Sequence, residues 1–178
     1  MSPLVLILAL LCVTAGAAVQ GSIGFGASLI SIPLLLLIDP HLVPGPAVVA
    51  GLTINVVALR AGFGQIDWTG ARWAVLGLLP GTLAAAAALT MFTGPSIALL
   101  SAGAVLAAVG VTAMGARIPG GRRTMLGAGF FSGYLTATAG VGGPPMAIAY
   151  RDAPPPMLRA TLPVVFLSAV AAIARVVV

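Results

Sequence analysis

From Pro3 to Ile38 the chain runs through about 36 residues without one charged side chain. A single straight helix of that length would reach roughly 54 Å, against about 30 Å for the hydrocarbon core of a bilayer. Such a segment must break, tilt or double back, and Gln20 to Gly26 offers the place, with glycine at positions 21, 24 and 26. Pro33 adds a second interruption by removing a backbone donor. A second uncharged stretch, Thr124 to Tyr150, is again too long for one plain helix, and it is broken at Gly140-Val141-Gly142-Gly143-Pro144-Pro145. Setting Gly24 on Gly140 also sets Gly26 on Gly142, and behind each break come apolar residues and then an Asp (Asp39, Asp152) with prolines. Hydrophobic segments broken at corresponding positions of two halves mark the binding region of a transporter.

The remaining spans are ordinary by comparison. Ala47 to Phe63, Ala71 to Phe92, Ser96 to Met114 and Met157 to Val178 each approach the 20 or so apolar residues that a crossing needs. The expected fold is an all-α polytopic transmembrane bundle of two related halves, each opening with a glycine-broken helix. Residues 1–115 make the first repeat of about four spans, 116–123 a basic loop, and 124–178 a partial second repeat. Within the third span, Gly77 and Gly81 allow a close helix approach, and packing inside the chain is favoured over a dimer motif.

Composition decides which classes of function survive. With 60% hydrophobic and 6% charged residues, the chain is far from the quarter of charged residues usual in soluble domains. The net charge of +5 rests on eight arginines, with no Lys and no Glu. They are scattered over short loops and form no basic stripe, which argues against nucleic acid. Arginines beside apolar spans instead control topology. If each broken segment counts as one crossing, Arg60, Arg72, Arg117, Arg122 and Arg123 fall on one side, Arg151 and Arg159 fall on the other, and the N-terminus is cytoplasmic. If a broken segment returns to its own side, the spans after it reverse. Trp68 and Trp73, flanking Arg72, suit an interfacial belt. A signal peptide in residues 1 to 18 is disfavoured because no positive residue precedes the apolar run.

Enzymatic chemistry finds little to work with. One His and no Glu exclude a metalloprotease helix, and the single Cys12 excludes a disulfide or a cysteine metal cluster. Gly129-Phe130-Phe131-Ser132-Gly133 is one residue too long for a serine nucleophile motif, and His41 falls in a loop. Gly24-Phe25-Gly26 lacks the strand and third glycine of a dinucleotide loop. No Asp lies within a span to relay protons. The reading is therefore non-enzymatic, with no cofactor and no metal.

A helix broken inside a bilayer exposes N–H and C=O groups that must meet protein, water or ligand. The start of the half-helix that follows also carries a positive dipole end, suited to an anion. The expected substrate contacts are Gly24, Gly26, Ala27 and Ser28 at the first break and Thr138, Gly140, Gly142 and Gly143 at the second. Asn55 joins them as a mid-span amide that needs a partner, from substrate or from another helix. Gly21, Pro33, Pro144 and Pro145 are expected to break the helices, the last two fitting the first turn of the second half-helix. Arg60 is expected to snorkel to the interface.

Gly21-x-x-Gly24-Phe25-Gly26 leading into Ile32-Pro33-Leu34-Leu35, and Ser132-Gly133 through Gly140-Val141-Gly142-Gly143-Pro144-Pro145 with Arg159-Ala160-Thr161 behind it, resemble the sulfite exporter TauE/SafE family over nearly the whole chain. The resemblance implies an inner-membrane permease for small sulfur-containing or carboxylate anions, with its two glycine-rich segments facing each other near the site. Its members usually have two four-helix halves, so the chain is expected to lack the last two spans of its second half. Ala27 stands where the family often has a further glycine. The partners implied are the lipid bilayer and a small anion, and a homo-oligomer is compatible with both. The alternative is a non-transporting or inactive truncated membrane subunit whose breaks only serve packing.

Overall fold

A computed structural model describes residues 2–43, 45–91, 103, 106 and 121–177, with side chains to residue 172. Apart from residues 103 and 106, the expected fourth span lies outside the described residues, as do Pro44 and loop residues 116–120. The described part is helical, with no strand among the described residues: α1 (Pro3–Ile23), α2 (Ala27–Ile38), α3 (Gly45–Gly62), α4 (Trp68–Met91), α5 (Arg122–Ala139), α6 (Gly143–Ala149) and α7 (Pro155–Val177). Four stretches, Pro3–Ile23, Gly45–Gln65, Trp68–Met91 and Pro155–Ala172, are long and apolar enough to cross a membrane. The chain is an all-α helical membrane bundle.

The first long segment does not continue through its break; it doubles back. Gly24 ends α1 in the left-handed region (φ 103°), and its N–H closes on the Gln20 carbonyl at 2.6 Å. Gly26 (φ 107°) then starts α2. Only glycine adopts two such conformations in three residues without strain. From there α2 returns antiparallel along α1. Gly16 packs on Ala27 and Ser31, the Ser31 hydroxyl donates to the Cys12 carbonyl at 3.3 Å, and Leu35 joins Ala9 and Leu42 in a small core.

Two positions expected to break helices do not. Gly21 is an ordinary residue of α1, with open space where a side chain would stand. Pro33 sits inside α2 on an exposed face, and the helix carries its missing donor. Pro80 and Pro163 are likewise absorbed within α4 and α7. The energetic cost of an interior proline falls when the neighbouring structure satisfies the freed carbonyl.

The second break repeats the device. Gly140 (φ 70°) caps α5, its N–H pointing at the Leu135 and Thr136 carbonyls. α6 then folds back, so that Gly142 lies against Ser132 and Thr136 and Met146 shares a core with Met125. Pro144 and Pro145 occupy the first turn of α6, as expected.

The broadest helix contact is between α4 and α5. A Cβ built on Gly77 or Gly81 would strike the carbonyl oxygens of Leu126 and Phe130. Conversely, one built on Gly129 or Gly133 would strike those of Ala74 and Leu78. Four positions further along α4 meet four positions further along α5, so the two helices run parallel. The backbones approach so closely that each glycine Cα–H faces a carbonyl of the other helix, a contact worth perhaps 0.5–1 kcal/mol. The Gly77/Gly81 pair therefore serves packing within the chain, as the sequence favours.

These contacts fix which helix ends share a level. Gly62 at the end of α3 packs on Ala160 near the start of α7. The Asp67 N–H donates to Thr161, and Asp67 caps α4 by accepting from the Thr69 and Gly70 N–H groups. Arg122 at the start of α5 stacks 3.9 Å over the Trp73 ring, and the Tyr150 hydroxyl at the end of α6 donates to Asp67 at 3.1 Å. Arg60, Arg72, Arg122, Arg123, Arg151 and Arg159 thus all belong to one end of the bundle. The expected separation of Arg151 and Arg159 from the others does not hold, because α6 carries the chain back to the end from which α5 set out. Because α1 runs toward the arginine end and α5 away from it, the two broken units are inverted with respect to each other.

Candidate functional site

The two breaks meet inside the bundle. Gly143, at the start of α6, accommodates the ring of Phe25, the residue between the two left-handed glycines of the first break. A Cβ on Gly143 would collide with that ring, and one on Gly140 would press on the Ile32 side chain from α2 at 2.9 Å. The glycines of the second break thus make room for residues of the first. Gly142 is locked further, since the Ser132 hydroxyl donates to its carbonyl at 2.8 Å. That bond occupies Ser132, while His41 lies in the turn Pro40–Leu42 beyond α2, so the two residues of a conceivable serine enzyme form no pair.

The other expected contacts divide. Ala27 is buried against Gly16, while Ser28 is half-buried in the first turn of α2. Asn55 does find a protein partner: its carbonyl oxygen accepts from the Gln20 side-chain amide at 3.0 Å, and its own amide donates to the Gly51 carbonyl. This bond ties α3 to α1 and answers the need of a mid-span amide. Thr138 returns its hydroxyl to the Tyr134 carbonyl of its own helix. Gly142, Gly143, Pro144 and Pro145 are buried in protein.

Beside the first break lies a cavity of about 610 Å³ between the end of α1, the length of α3 and the start of α7. Gly21 and Gly24 form part of its wall, whereas Gly26, Ala27, Ser28 and the second break do not. Its surface is mostly apolar, from residues such as Ala17, Ile54, Val57 and Ala160, with Gln20, Thr53, Gln65 and Arg159 as the polar members. Gly24 is pinned there, its Cα flanked by Arg159 and Leu162. Arg159 donates from Nε to the Pro155 carbonyl at 3.4 Å and from Nη1 to the Gly21 carbonyl at 3.5 Å, both long bonds. Arg60, expected to snorkel to the interface, is not part of this wall.

Sequence reasoning missed Phe25 and Arg159. Phe25 was in view only as a spacer between glycines, and nothing in one sequence says that its ring needs Gly143. Arg159 carried a signal in the run Arg159-Ala160-Thr161, whose three residues now touch Gly24, Gly62 and Asp67.

At the arginine end, Tyr150 is held by burial and by the neighbouring Asp67 charge with its proton well above the usual tyrosine range. The Asp67 carboxylate and the Tyr150 hydroxyl leave no space for a side chain on Gly70. This cluster joins α4, α6 and α7 at the level where α3 hands over to α4.

A family model described as Sulfite exporter TauE/SafE matches residues 8–178. No curated protein and no solved structure matches the chain.

Proposed function

The chain belongs to the sulfite exporter TauE/SafE family, a family of membrane transporters of sulfite-like anions, and from that membership we infer that it is a permease for a small organosulfur, sulfite-like or carboxylate anion. The observation that carries this reading is the meeting of two inverted broken hairpins through Phe25 and Gly143. Inverted broken units in contact are the architecture on which alternating access is built.

The two breaks have different parts in this reading. The first supplies N–H donors from Ala27 and Ser28 at the start of α2, beside Gly24 and Gly26, for a negatively charged group. The second, with Gly140, Gly142 and Gly143, is the seat on which Phe25 closes. Residues 1–115 and 124–178 act as the two repeats, joined through 116–123. The arginine end faces the cytoplasm of the cell by the positive-inside rule, which puts the N-terminus outside. This reverses the orientation expected when each broken segment is one crossing.

Proteoliposomes loaded with sulfite, thiosulfate, sulfoacetate or a small carboxylate test the function. Flux of at least one anion above empty vesicles is expected, and flux of none overturns the reading. Gly142→Leu, which would drive a side chain into Ser132 and Thr136, should abolish flux. The burial of Gly142 and Gly143 favours a second reading, a membrane subunit whose breaks serve packing alone. It predicts no flux and a stable complex with another membrane protein.

A further inference from the structure

Gln20 carries a polar atom that the fold leaves unserved. Its side chain is only 6% exposed and lies in the wall of the cavity. The polarity of its bond with Asn55 is fixed from the far end. The Gly51 carbonyl can only accept, so the Asn55 amide nitrogen faces it at 2.8 Å and Asn55 Oδ1 faces Gln20. That oxygen in turn can only accept, so Gln20 donates from Nε2 at 3.0 Å, and Gln20 Oε1 is left without a donor among the described residues. Asn55 stands seven residues before Gly62, which packs on Ala160 at the arginine end, so the acceptor sits about 10 Å inside the bundle from that level. A buried acceptor at such a depth is costly unless something donates to it.

The donor comes from water or from a ligand, and a ligand that expels the water loses affinity unless it brings a donor of its own. Thr53 makes the same demand, since its hydroxyl proton goes to the Val49 carbonyl at 2.9 Å and only lone pairs remain for the cavity. A fully ionised oxyanion has acceptors alone and would set oxygen against oxygen at both residues. An O–H group answers them, and the carbon body behind it meets Ala17, Ile54 and Val57.

We propose that Gln20 is a specificity-determining residue of this cavity and selects a ligand that presents an O–H group to Oε1. That O–H has two chemical sources, an alcohol on the carbon body or the acidic proton of an oxyacid, and one acceptor reads both. The proposal rests on the permease reading and adds a condition on the cargo: the form that enters the cavity carries a hydrogen-bond donor, and a deprotonated anion without a hydroxyl is turned away. Among the described residues, the walls from α1, α3 and α7 hold one charged group, Arg159. A guanidinium keeps its charge throughout the range used below, so any pH dependence of binding originates in the ligand.

The test is calorimetric titration of the full chain in phosphatidylcholine nanodiscs with glycolate and propionate, two monoanions that differ by a hydroxyl in place of a methyl. Burial of the methyl alone would favour propionate about fourfold. At pH 8 glycolate should instead bind at least about fivefold more tightly, because propionate leaves the buried acceptor unserved. Propionate should then gain about tenfold for each pH unit from 8 down to 6, in step with its protonated fraction. Gln20→Met, of similar volume and without the acceptor, should abolish both effects. Glycolate preference alone assigns the O–H to the carbon body, and the pH effect alone assigns it to the acid. The proposal falls if neither effect is seen, since water then serves Oε1 whatever the ligand, or if folded Gln20→Met retains them. Should Gln20→Met fail to fold, the two wild-type comparisons decide. Anion flux in proteoliposomes without either effect would sink the role of Gln20 and leave the permease standing. Either effect without flux of any anion would do the reverse.

Discussion

Glycine has two distinct uses in this chain, and they respond differently to substitution. At Gly24, Gly26 and Gly140 it supplies a left-handed backbone, where any other residue is strained by about 1–2 kcal/mol. At Gly77, Gly81, Gly129 and Gly133 the backbone is helical and it is the missing Cβ that matters, since the atom in its place is a carbonyl oxygen of the neighbouring helix. Gly77→Ala should therefore destabilise the bundle by about 3 kcal/mol, the upper end of overpacking costs, because backbone cannot step aside as a side chain does. Gly127 is the internal control: it lies in the same α5 with open space around it. Gly127→Ala should be neutral or stabilise by up to about 1 kcal/mol. Thermal unfolding of the two variants in detergent should separate them clearly, and equal midpoints would refute the seam. The left-handed class was legible in the sequence, because three glycines in six positions inside an apolar run have few other uses. The seam was half legible. Gly77 and Gly81 announce a close approach, but a spacing of four does not name its partner, and Gly129 and Gly133 look like part of a different motif until the helices are placed side by side.

At the scale of elements, the sequence placed both breaks correctly but left open what the chain does after them. A glycine-rich interruption permits a helix to continue with an offset or to return, and the choice is made by contacts far along the chain, such as Ser31 with Cys12 or Ser132 with Gly142. Pro33 misleads for a related reason: local chemistry favours a stop there, and packing of α2 on α1 overrides it. The return of α6 ends at Tyr150, whose bond to Asp67 fastens the second hairpin to α4 and, through Thr161, to α7. The linkage with pH has a definite sign. The folded chain holds the Tyr150 proton more tightly than the unfolded chain, so the contribution is fully present below the ordinary tyrosine pKa of about 10 and is lost as pH rises from there toward the higher folded value. Stability measured between neutral pH and pH 11 should therefore fall, and Tyr150→Phe should flatten that fall while lowering stability at neutral pH by about 1 kcal/mol for the lost bond. An unchanged alkaline slope in Tyr150→Phe would show that other groups govern it.

For the whole molecule, the two hairpins change how the arginines must be counted. With single crossings they divide five against two; with hairpins Arg60, Arg72, Arg122, Arg123, Arg151 and Arg159 gather at one end, together with Trp68 and Trp73, while Arg175 lies toward the far end of α7. Membrane class was legible from composition alone, and the inverted relation of the two halves was not, since it needs the direction of α6. The orientation that follows is open to direct measurement. In a Cys12→Ala background, His41→Cys at the far end should react with a membrane-impermeant maleimide on intact cells, while Gln65→Cys should react only after lysis. The opposite pattern would return the N-terminus to the cytoplasm.

The parallel seam between α4 and α5 also limits how the gene can drift. Every single-base change in a glycine codon that alters the residue installs a Cβ or ends translation, so none of the four seam positions has a neighbouring codon for another residue that preserves the contact. Both faces of the seam would have to retreat together for either to accept a side chain. The lineage is thus held at these four codons by geometry alone, whatever anion it comes to carry.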